Sequence, residues 1–270
     1  MKRVLRKMLC GLTACLLVCS LVPSVLAASA AASGTCGDDA TWTLEDGVLT
    51  IRGSGKVTFF SGWKAKRVSV TSIVVEEGII SLCTYAFEGC SAAATVSLPS
   101  TLTNIGAAAF SNCKSLTEVV IPEGVQTIGD NLFTNCSGLV SLTLPGTLTT
   151  LADSAFAHCT SLVELNLSEG IQELTQGAFM GCGSLTSVTI PASVTKIEPG
   201  MFQNCGRLTS IYFLGDAPEV VATQTRFSGN TEPAFPERVT LYYKADTNGW
   251  NASPWDSYKT ALWNDSDSPF

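Results

Sequence analysis

The sequence predicts a solenoid of stacked coils, with short parallel strands on one face and short helical, 3₁₀ or loop segments on the other. Two patterns predict it: phenylalanine and cysteine recur together every 23 residues, and each repeat contains a brief apolar and polar alternation, which in most repeats ends at proline. Composition agrees, because the 270 residues are 46% apolar and only 14% charged, with a mean hydropathy of +0.28. Most of the chain is therefore not intrinsically disordered.

The first 28 residues are typical of a secretory signal peptide. Four basic residues within positions 2–7 precede a long uncharged apolar stretch, which is interrupted by Pro23 and ends in small residues. We expect cleavage between residues 27 and 32. An uncleaved membrane anchor is the alternative interpretation, since about 20 apolar residues are long enough to cross a bilayer.

The exported chain is acidic. Removing the signal peptide leaves 12 basic against 23 acidic residues, a net charge of −11. Nucleic-acid binding needs clustered lysine and arginine to neutralise phosphates, so this balance argues against a nucleic-acid partner. Once the signal peptide is removed, we also expect no stable membrane span.

Each 23-residue repeat reads as one coil of the solenoid. Within residues 116–122, Val119 and Ile121 alternate with polar positions, which predicts a short strand, and Pro122 ends it because proline cannot donate to a strand ladder. The small-residue run 107–109 predicts a short helical or 3₁₀ segment on the opposite side. Two columns are complete in all six repeats and form the predicted structural ladder: Phe87, Phe110, Phe133, Phe156, Phe179, Phe202, and Cys90, Cys113, Cys136, Cys159, Cys182, Cys205.

The repeat resembles the BspA-type leucine-rich repeat of bacterial surface and secreted proteins. The residues that carry the resemblance, repeated in register over about residues 70–215, are Ile121-Pro122, Val125, Ile128-Gly129, Phe133, Cys136 and Leu139. The segment 36–55 resembles the opening segment of such proteins, and 239–263 resembles the closing one. After the predicted signal peptide at 1–28, the resemblance implies an N-terminal cap at 33–70, leucine-rich repeats at 71–215 and a C-terminal cap at 216–270.

The family resemblance implies export and a binding or adhesive role, with no common ligand and no cofactor. We therefore expect a secreted or cell-surface protein without catalysis, whose partner is an extracellular protein or glycan. Three residues depart from the repeat pattern in the first and fourth coils without changing the period: Ala93 replaces a leucine, Cys83 a glycine and Ser168 a proline.

The outward face of the predicted strands is the candidate binding face, because solenoids present such faces as extended surfaces. It is rich in hydroxyl groups and nearly free of positive charge. Its candidate residues are Glu118, Val120, Ser141, Thr143, Glu164, Asn166, Ser187, Thr189, Ser210 and Tyr212.

The cysteine column predicts compact buried apolar filling, because equivalent side chains of stacked coils point in parallel and not toward each other. Cys36 and Cys83 lie outside the column, and we expect them either to form a disulfide with each other or, for Cys36, with Cys90. A spacing of 23 residues does not suit a zinc site, so no metal is expected.

Enzyme chemistry is not indicated, since the sequence has no nucleophile elbow, phosphate-binding loop or metalloprotease motif. The single histidine, His158, occupies a turn position where most sister repeats carry asparagine, so we expect it to be exposed. The alternative function is a carbohydrate-binding or glycan-cleaving accessory module that uses the C-terminal aromatic residues. These residues are Trp250, Trp255, Tyr258 and Trp263.

Overall fold

The structure is a computed structural model that describes residues 31–221 and 235–263, so the predicted signal peptide lies outside the described residues. The described chain forms a solenoid of about nine turns with a period near 23 residues, parallel strands and almost no helix. The predicted fold class is confirmed.

An N-terminal hairpin precedes the coils. Strand β1 (Ala32–Thr35) pairs antiparallel with β2 (Asp39–Glu45), and β2 pairs antiparallel with β3 (Val48–Lys56). A short helix, α1 (Ser61–Lys64), and a 3₁₀ turn (Arg67–Ser69) then lead into the first coil. Because β3 pairs in parallel with strands of that coil, the hairpin covers the open end of the solenoid.

Most coils contribute two short strands, which stack into a front row and a back row. The front row consists of β4 (Ser72–Val75), β6 (Thr95–Ser97), β8 (Glu118–Val120), β10 (Ser141–Thr143), β12 (Glu164–Asn166), β14 (Ser187–Ile190), β16 (Ser210–Phe213), β18 (Thr240–Tyr243) and β19 (Thr260–Leu262). The back row consists of β5 (Ile79–Leu82), β7 (Asn104–Ile105), β9 (Thr127–Ile128), β11 (Thr150–Leu151), β13 (Glu173–Leu174), β15 (Lys196–Ile197) and β17 (Glu219–Val220).

The ladder pairing within each row is parallel but discontinuous. In the front row, β4 pairs with β6, and β10 pairs with both β8 and β12. A third group pairs in the order β14, β16, β18 and β19. Across the described residues, no strand pairing joins β6 to β8 or β12 to β14, and in the back row none joins β9 to β11. The front row therefore consists of three groups of paired strands.

The third side of each coil is a series of hydrogen-bonded turns, and the short helix expected around residues 107–109 does not form there. Ala108 has a φ of 52° and Asn112 a φ of 62°, and equivalent residues of other coils share this left-handed conformation. A right-handed helix cannot continue through such residues. Besides α1, the described residues contain only two 3₁₀ segments, the one at Arg67–Ser69 and a second at Trp255–Ser257.

The phenylalanine column forms the centre of the core. The six rings stack nearly parallel from Phe87 to Phe202, with centroids 5.1 to 5.8 Å apart. Trp63 continues the stack at its N-terminal end, 5.9 Å from Phe87. At the C-terminal end, Phe213 packs against Trp250 and Trp255.

Glutamates in alternate coils hydrogen-bond the backbone of the next coil. Glu77 accepts from the Ser100 N–H at 2.9 Å, and Glu123 accepts from the Gly146 N–H at 3.0 Å. Glu169 continues the series two coils further on. The coils between them carry Ser100, Gly146 and Ala192 at the equivalent position. The side chains of these residues are too short to reach the following coil.

Candidate binding surface

The outward side chains of the front row form the strand face, which the sequence predicted as the candidate binding site. The parallel register places Ser141 between Glu118 and Glu164, and Thr143 between Val120 and Asn166. We call these six residues the central patch. Ser187 lies opposite Ser210, and Thr189 opposite Tyr212, and these four form the C-terminal patch. Because β12 and β14 are not paired, the ten residues form two patches and not one continuous sheet surface.

The polar side chains of the central patch make no hydrogen bond or ion pair elsewhere in the described chain. Glu118, Thr143, Glu164 and Asn166 are exposed, and Ser141 is partly exposed. The glutamates of the alternate-coil series, represented by Glu123, instead accept backbone N–H groups. The central patch therefore offers carboxylate, amide and hydroxyl groups that the fold does not use.

The C-terminal patch includes an aromatic cluster around Tyr212, which the 23-residue period did not reveal. Tyr212 stacks on Tyr242 with centroids 4.8 Å apart, and Trp263 meets Tyr212 edge-on at 5.3 Å. Tyr242 lies opposite Tyr212 although 30 residues separate them in sequence. The run of β-forming residues 240–243 was the available signal for a further front strand. Trp263 Nε1 and Thr189 Oγ1 are buried, and neither has a hydrogen-bond partner in the described chain.

The tryptophans on which the alternative function depends are part of the core. Trp250 and Trp255 are each only 3% exposed and pack against Phe213 and Phe235. The indole N–H of Trp255 donates to the Pro218 carbonyl at 3.1 Å. Their ring faces are covered by protein, so they are not available to stack on a sugar.

The cysteine ladder is buried and hydrogen-bonded. From Cys113 to Cys205, each Sγ donates to the carbonyl oxygen of the phenylalanine in the preceding coil, at 3.1 to 3.4 Å. Burial raises the pKa of the Cys136 thiol to about 12, so it is protonated at neutral pH. Since the thiolate is the reactive form of cysteine, this column is suited to structure and not to nucleophilic chemistry.

Cys36 and Cys83 both lie where the N-terminal hairpin meets the first coil, close enough for their thiols to interact electrostatically. The Thr58 N–H donates to the Cys36 carbonyl at 2.8 Å, and Thr58 lines the same 420 Å³ cavity as Cys83. Burial and the neighbouring Cys83 raise the pKa of Cys36 to about 11. Both are free thiols in the structure, as are the six cysteines of the ladder.

His158 is exposed, with a φ of 60° that matches the left-handed turn residues Asn112, Asn135 and Asn204 of other coils. The described residues contain no group of three or more histidine, cysteine, aspartate or glutamate side chains arranged to hold a metal ion. Within the same residues, no helix is long and apolar enough to span a bilayer.

Comparison with known proteins identifies the repeat. Residues 65–157 and 138–222, together more than half of the chain, match a family model described as a BspA type leucine rich repeat region, with six copies. No curated protein matches the chain.

Solved structures of two bacterial proteins are similar to the chain. A leucine rich repeat protein of T. pallidum is 27% identical, with a TM-score of 0.52, over 68% of this chain and 83% of that one. A leucine rich cell surface protein of Faecalibacterium prausnitzii is 25% identical, with a TM-score of 0.56, over 67% of this chain and 54% of that one. The match thus spans about half the length of the second protein.

Proposed function

The chain belongs to the family of BspA-type leucine-rich-repeat proteins, and we propose that it is an exported, non-catalytic binding protein whose strand face engages an extracellular protein or glycan. The proposal depends on one contrast. The polar groups of the central patch make no bonds within the described chain, whereas the glutamates of the turns are bonded to the next coil.

Unbonded polar groups in regular columns suit recognition. Strands hold the backbones of Glu118, Ser141 and Glu164 side by side in register, so a partner meets a preorganised row of backbone positions from which carboxylate and hydroxyl groups extend. Preorganised groups lose less conformational entropy when a complex forms. The two carboxylates favour a partner that carries positive charge on its contacting surface.

Export is supported by two observations. Residues 1–28 have the composition of a signal peptide, and the similar protein of Faecalibacterium prausnitzii is described as a cell surface protein. Fractionation of the producing cells followed by N-terminal sequencing tests this part. A mature N-terminus that begins between residues 27 and 32 in the surface or secreted fraction supports export, and a full-length cytoplasmic chain contradicts it.

Binding is tested by screening the full chain against purified extracellular proteins and a glycan array. For a partner found there, Thr143→Trp and the pair Glu118→Lys with Glu164→Lys are expected to weaken binding about tenfold, or ~1.4 kcal/mol. Glu219→Lys, which reverses an exposed charge on the back row, is the matched control and leaves binding unchanged. A partner that binds all variants equally, or no partner in either screen, contradicts the proposal.

A further inference from the structure

The front row is open between β6 and β8 although the coils that carry these strands are neighbours. Phe87 and Phe110 stack at 5.2 Å in the same two coils, and the back strands β7 and β9 are paired. No hydrogen bond joins the backbones of β6 and β8 in the described chain. The two coils are therefore joined on the other sides, whereas on the strand face β6 and β8 lie near each other without backbone hydrogen bonds.

The separation produces a cavity of about 360 Å³, lined by both strands. Val96 and Leu98, which occupy inward positions, are only half-buried at this site, whereas Leu142 at the equivalent position of β10 is fully buried. On the outer rim, Val120 is 56% exposed. The volume lies within the range of roughly 300–1,000 Å³ that ligand pockets have.

A sequence difference accompanies this opening. In the coils that follow, the residue three positions before the inward residue of the front strand is a fully buried leucine, as in Leu116 and Leu139. The coil that carries β6 has Ala93 at this position. An alanine fills less volume beneath β6, so the strand has less packing to hold it against its neighbour.

Two unpaired strand edges face the cleft. Such edges present N–H and C=O groups that accept pairing from another chain. Peptide recognition by exposed strand edges draws affinity from these main-chain groups and specificity from pockets for alternate side chains. The gap between β6 and β8 therefore offers main-chain groups without a strand partner, beside a cavity whose lining is partly apolar.

The lining favours a protein segment with basic residues. Glu118 is the charged residue of the lining, and no lysine or arginine contributes to it. The remaining lining is aliphatic or hydroxyl-bearing, and it contains no aromatic ring on which a sugar would stack. An aliphatic or aromatic side chain matches the half-buried Val96 and Leu98, and a neighbouring lysine or arginine matches Glu118.

We infer that the cleft between β6 and β8 is an anchor site, which receives an apolar side chain of an extended protein segment that carries basic residues beside it. The inference rests on the proposed function and names the class of partner and the point of contact. Glycans and lipids are the competing occupants.

The inference is tested with two synthetic peptides, Gly-Lys-Ser-Lys-Leu-Lys-Ser-Lys-Gly and the same peptide with serine in place of leucine. Binding to the full chain is measured by fluorescence anisotropy at low ionic strength. The leucine peptide is expected to bind at least tenfold more tightly, because only its central side chain fills the cavity. Higher salt weakens both peptides, because it screens the attraction to the carboxylates.

Two variants test whether the peptide binds in the cleft. Ser97→Trp puts a large side chain into the cleft, and Thr143→Trp makes the same change in the equivalent column of β10, which is paired on both sides. Ser97→Trp is expected to remove the tenfold preference for leucine, and Thr143→Trp to leave it intact. Glu118→Lys weakens both peptides, and the back-row control Glu219→Lys does not. Both tryptophan replacements are at exposed positions, and thermal unfolding verifies that each variant folds.

Equal binding of the two peptides, no binding of either, or equal effects of Ser97→Trp and Thr143→Trp would overturn the inference. The outcome is separable from that of the proposed function. If a partner from the screen no longer binds Thr143→Trp but still binds Ser97→Trp, the result supports binding at the strand face. It also overturns the inference that the cleft anchors this partner. A glycan or lipid whose binding is lost on Ser97→Trp alone overturns the assignment of a protein segment.

Discussion

The Sγ atom of Cys136 donates a hydrogen bond to the carbonyl oxygen of Phe110 in the preceding coil, 3.1 Å away. The same carbonyl accepts from the backbone N–H of Cys113 in its own coil at 3.2 Å. All three residues are fully buried. Cysteine therefore does more in this column than fill space, because its thiol supplies a second donor to a buried carbonyl and links consecutive coils.

Cys136→Ala should destabilise the fold by about 1–3 kcal/mol, since it removes a buried hydrogen bond and leaves a small cavity. The measurement is urea unfolding, with a lower midpoint at unchanged slope. Ser137→Ala is the matched control, because Ser137 is the next residue, is partly exposed and makes no side-chain hydrogen bond in the described chain. Equal midpoints for the two variants would show that the thiol contributes nothing beyond its neighbour.

Phe133→Ala should cost about 3–5 kcal/mol, as for other buried phenylalanines. The ring lies 5.1 Å from Phe110 and 5.6 Å from Phe156, so its removal interrupts the stack in the middle of the array. Phe59→Ala is the control, because Phe59 is 43% exposed, and its change should remain within about 0.5 kcal/mol. Chemical denaturation of both variants measures the difference. A loss at Phe133 no larger than that at Phe59 is incompatible with a core built on the stack.

Glu77→Gln should alter how stability depends on pH. The Ser100 backbone N–H bonded to the Glu77 carboxylate lowers its pKa, with further lowering from the hydroxyl of Ser100 and from Thr101. A lowered pKa in the folded state stabilises the protein above the unfolded value of about 4.3, and the stabilisation is lost as pH falls through the folded value. The native protein should therefore exceed the variant in Tm near neutral pH, with the difference shrinking below about pH 4.3.

Thermal unfolding from neutral to acidic pH tests this expectation, with Glu45→Gln as the control. Glu45 is exposed and makes no side-chain hydrogen bond in the described chain. Its replacement should leave the pH profile of Tm unchanged. A Tm difference for Glu77→Gln that stays constant across the whole range would exclude the carboxylate as its origin.

In the chain that lacks residues 1–28, Cys36 and Cys83 should form a disulfide on exposure to a small-molecule disulfide oxidant. The two thiols lose two hydrogen atoms as the oxidant is reduced to two thiols, so the intact mass falls by that amount and six of the eight cysteines still react with an alkylating reagent after unfolding. The ladder thiols should not pair, because equivalent side chains of stacked coils point in parallel, and those of Cys113 to Cys205 also donate to carbonyl oxygens. Cys36→Ser should abolish the mass change. Eight alkylated cysteines, or a crosslink mapped to Cys90, would contradict the prediction.

The repeat period allowed the fold to be predicted from the sequence, because residues 23 positions apart lie directly above one another. Val119 was placed inward and Glu118 outward by alternation alone, and the structure has them so. The interruptions of the front row were not predictable from this pattern. The gap between β6 and β8 accompanies Ala93, which the period shows only as a local departure. The gap between β12 and β14 occurs although buried leucines, Leu162 and Leu185, occupy the equivalent positions.

Other features of the candidate site depend on contacts that the period does not encode. Tyr242 joins Tyr212 because the chain returns to the front row after a longer connection. The left-handed turns at Ala108 and Ser154 lack the glycine or asparagine that marks such positions, so a short helical or 3₁₀ segment was expected where turns occur. Binding through the strand face stays a prediction.

The alternation of Glu77, Glu123 and Glu169 with shorter residues has a consequence for the length of the array. Removing or duplicating one coil places two glutamate-bearing coils, or two that lack glutamate, in succession. Turns that accept hydrogen bonds through a carboxylate then no longer alternate with turns that donate backbone N–H groups. Removing or duplicating two coils, 2 × 23 residues, keeps every carboxylate facing the same kind of turn. The unit by which this solenoid can be shortened or extended without disturbing its turns is therefore the pair of coils, twice the period that its phenylalanines and cysteines display.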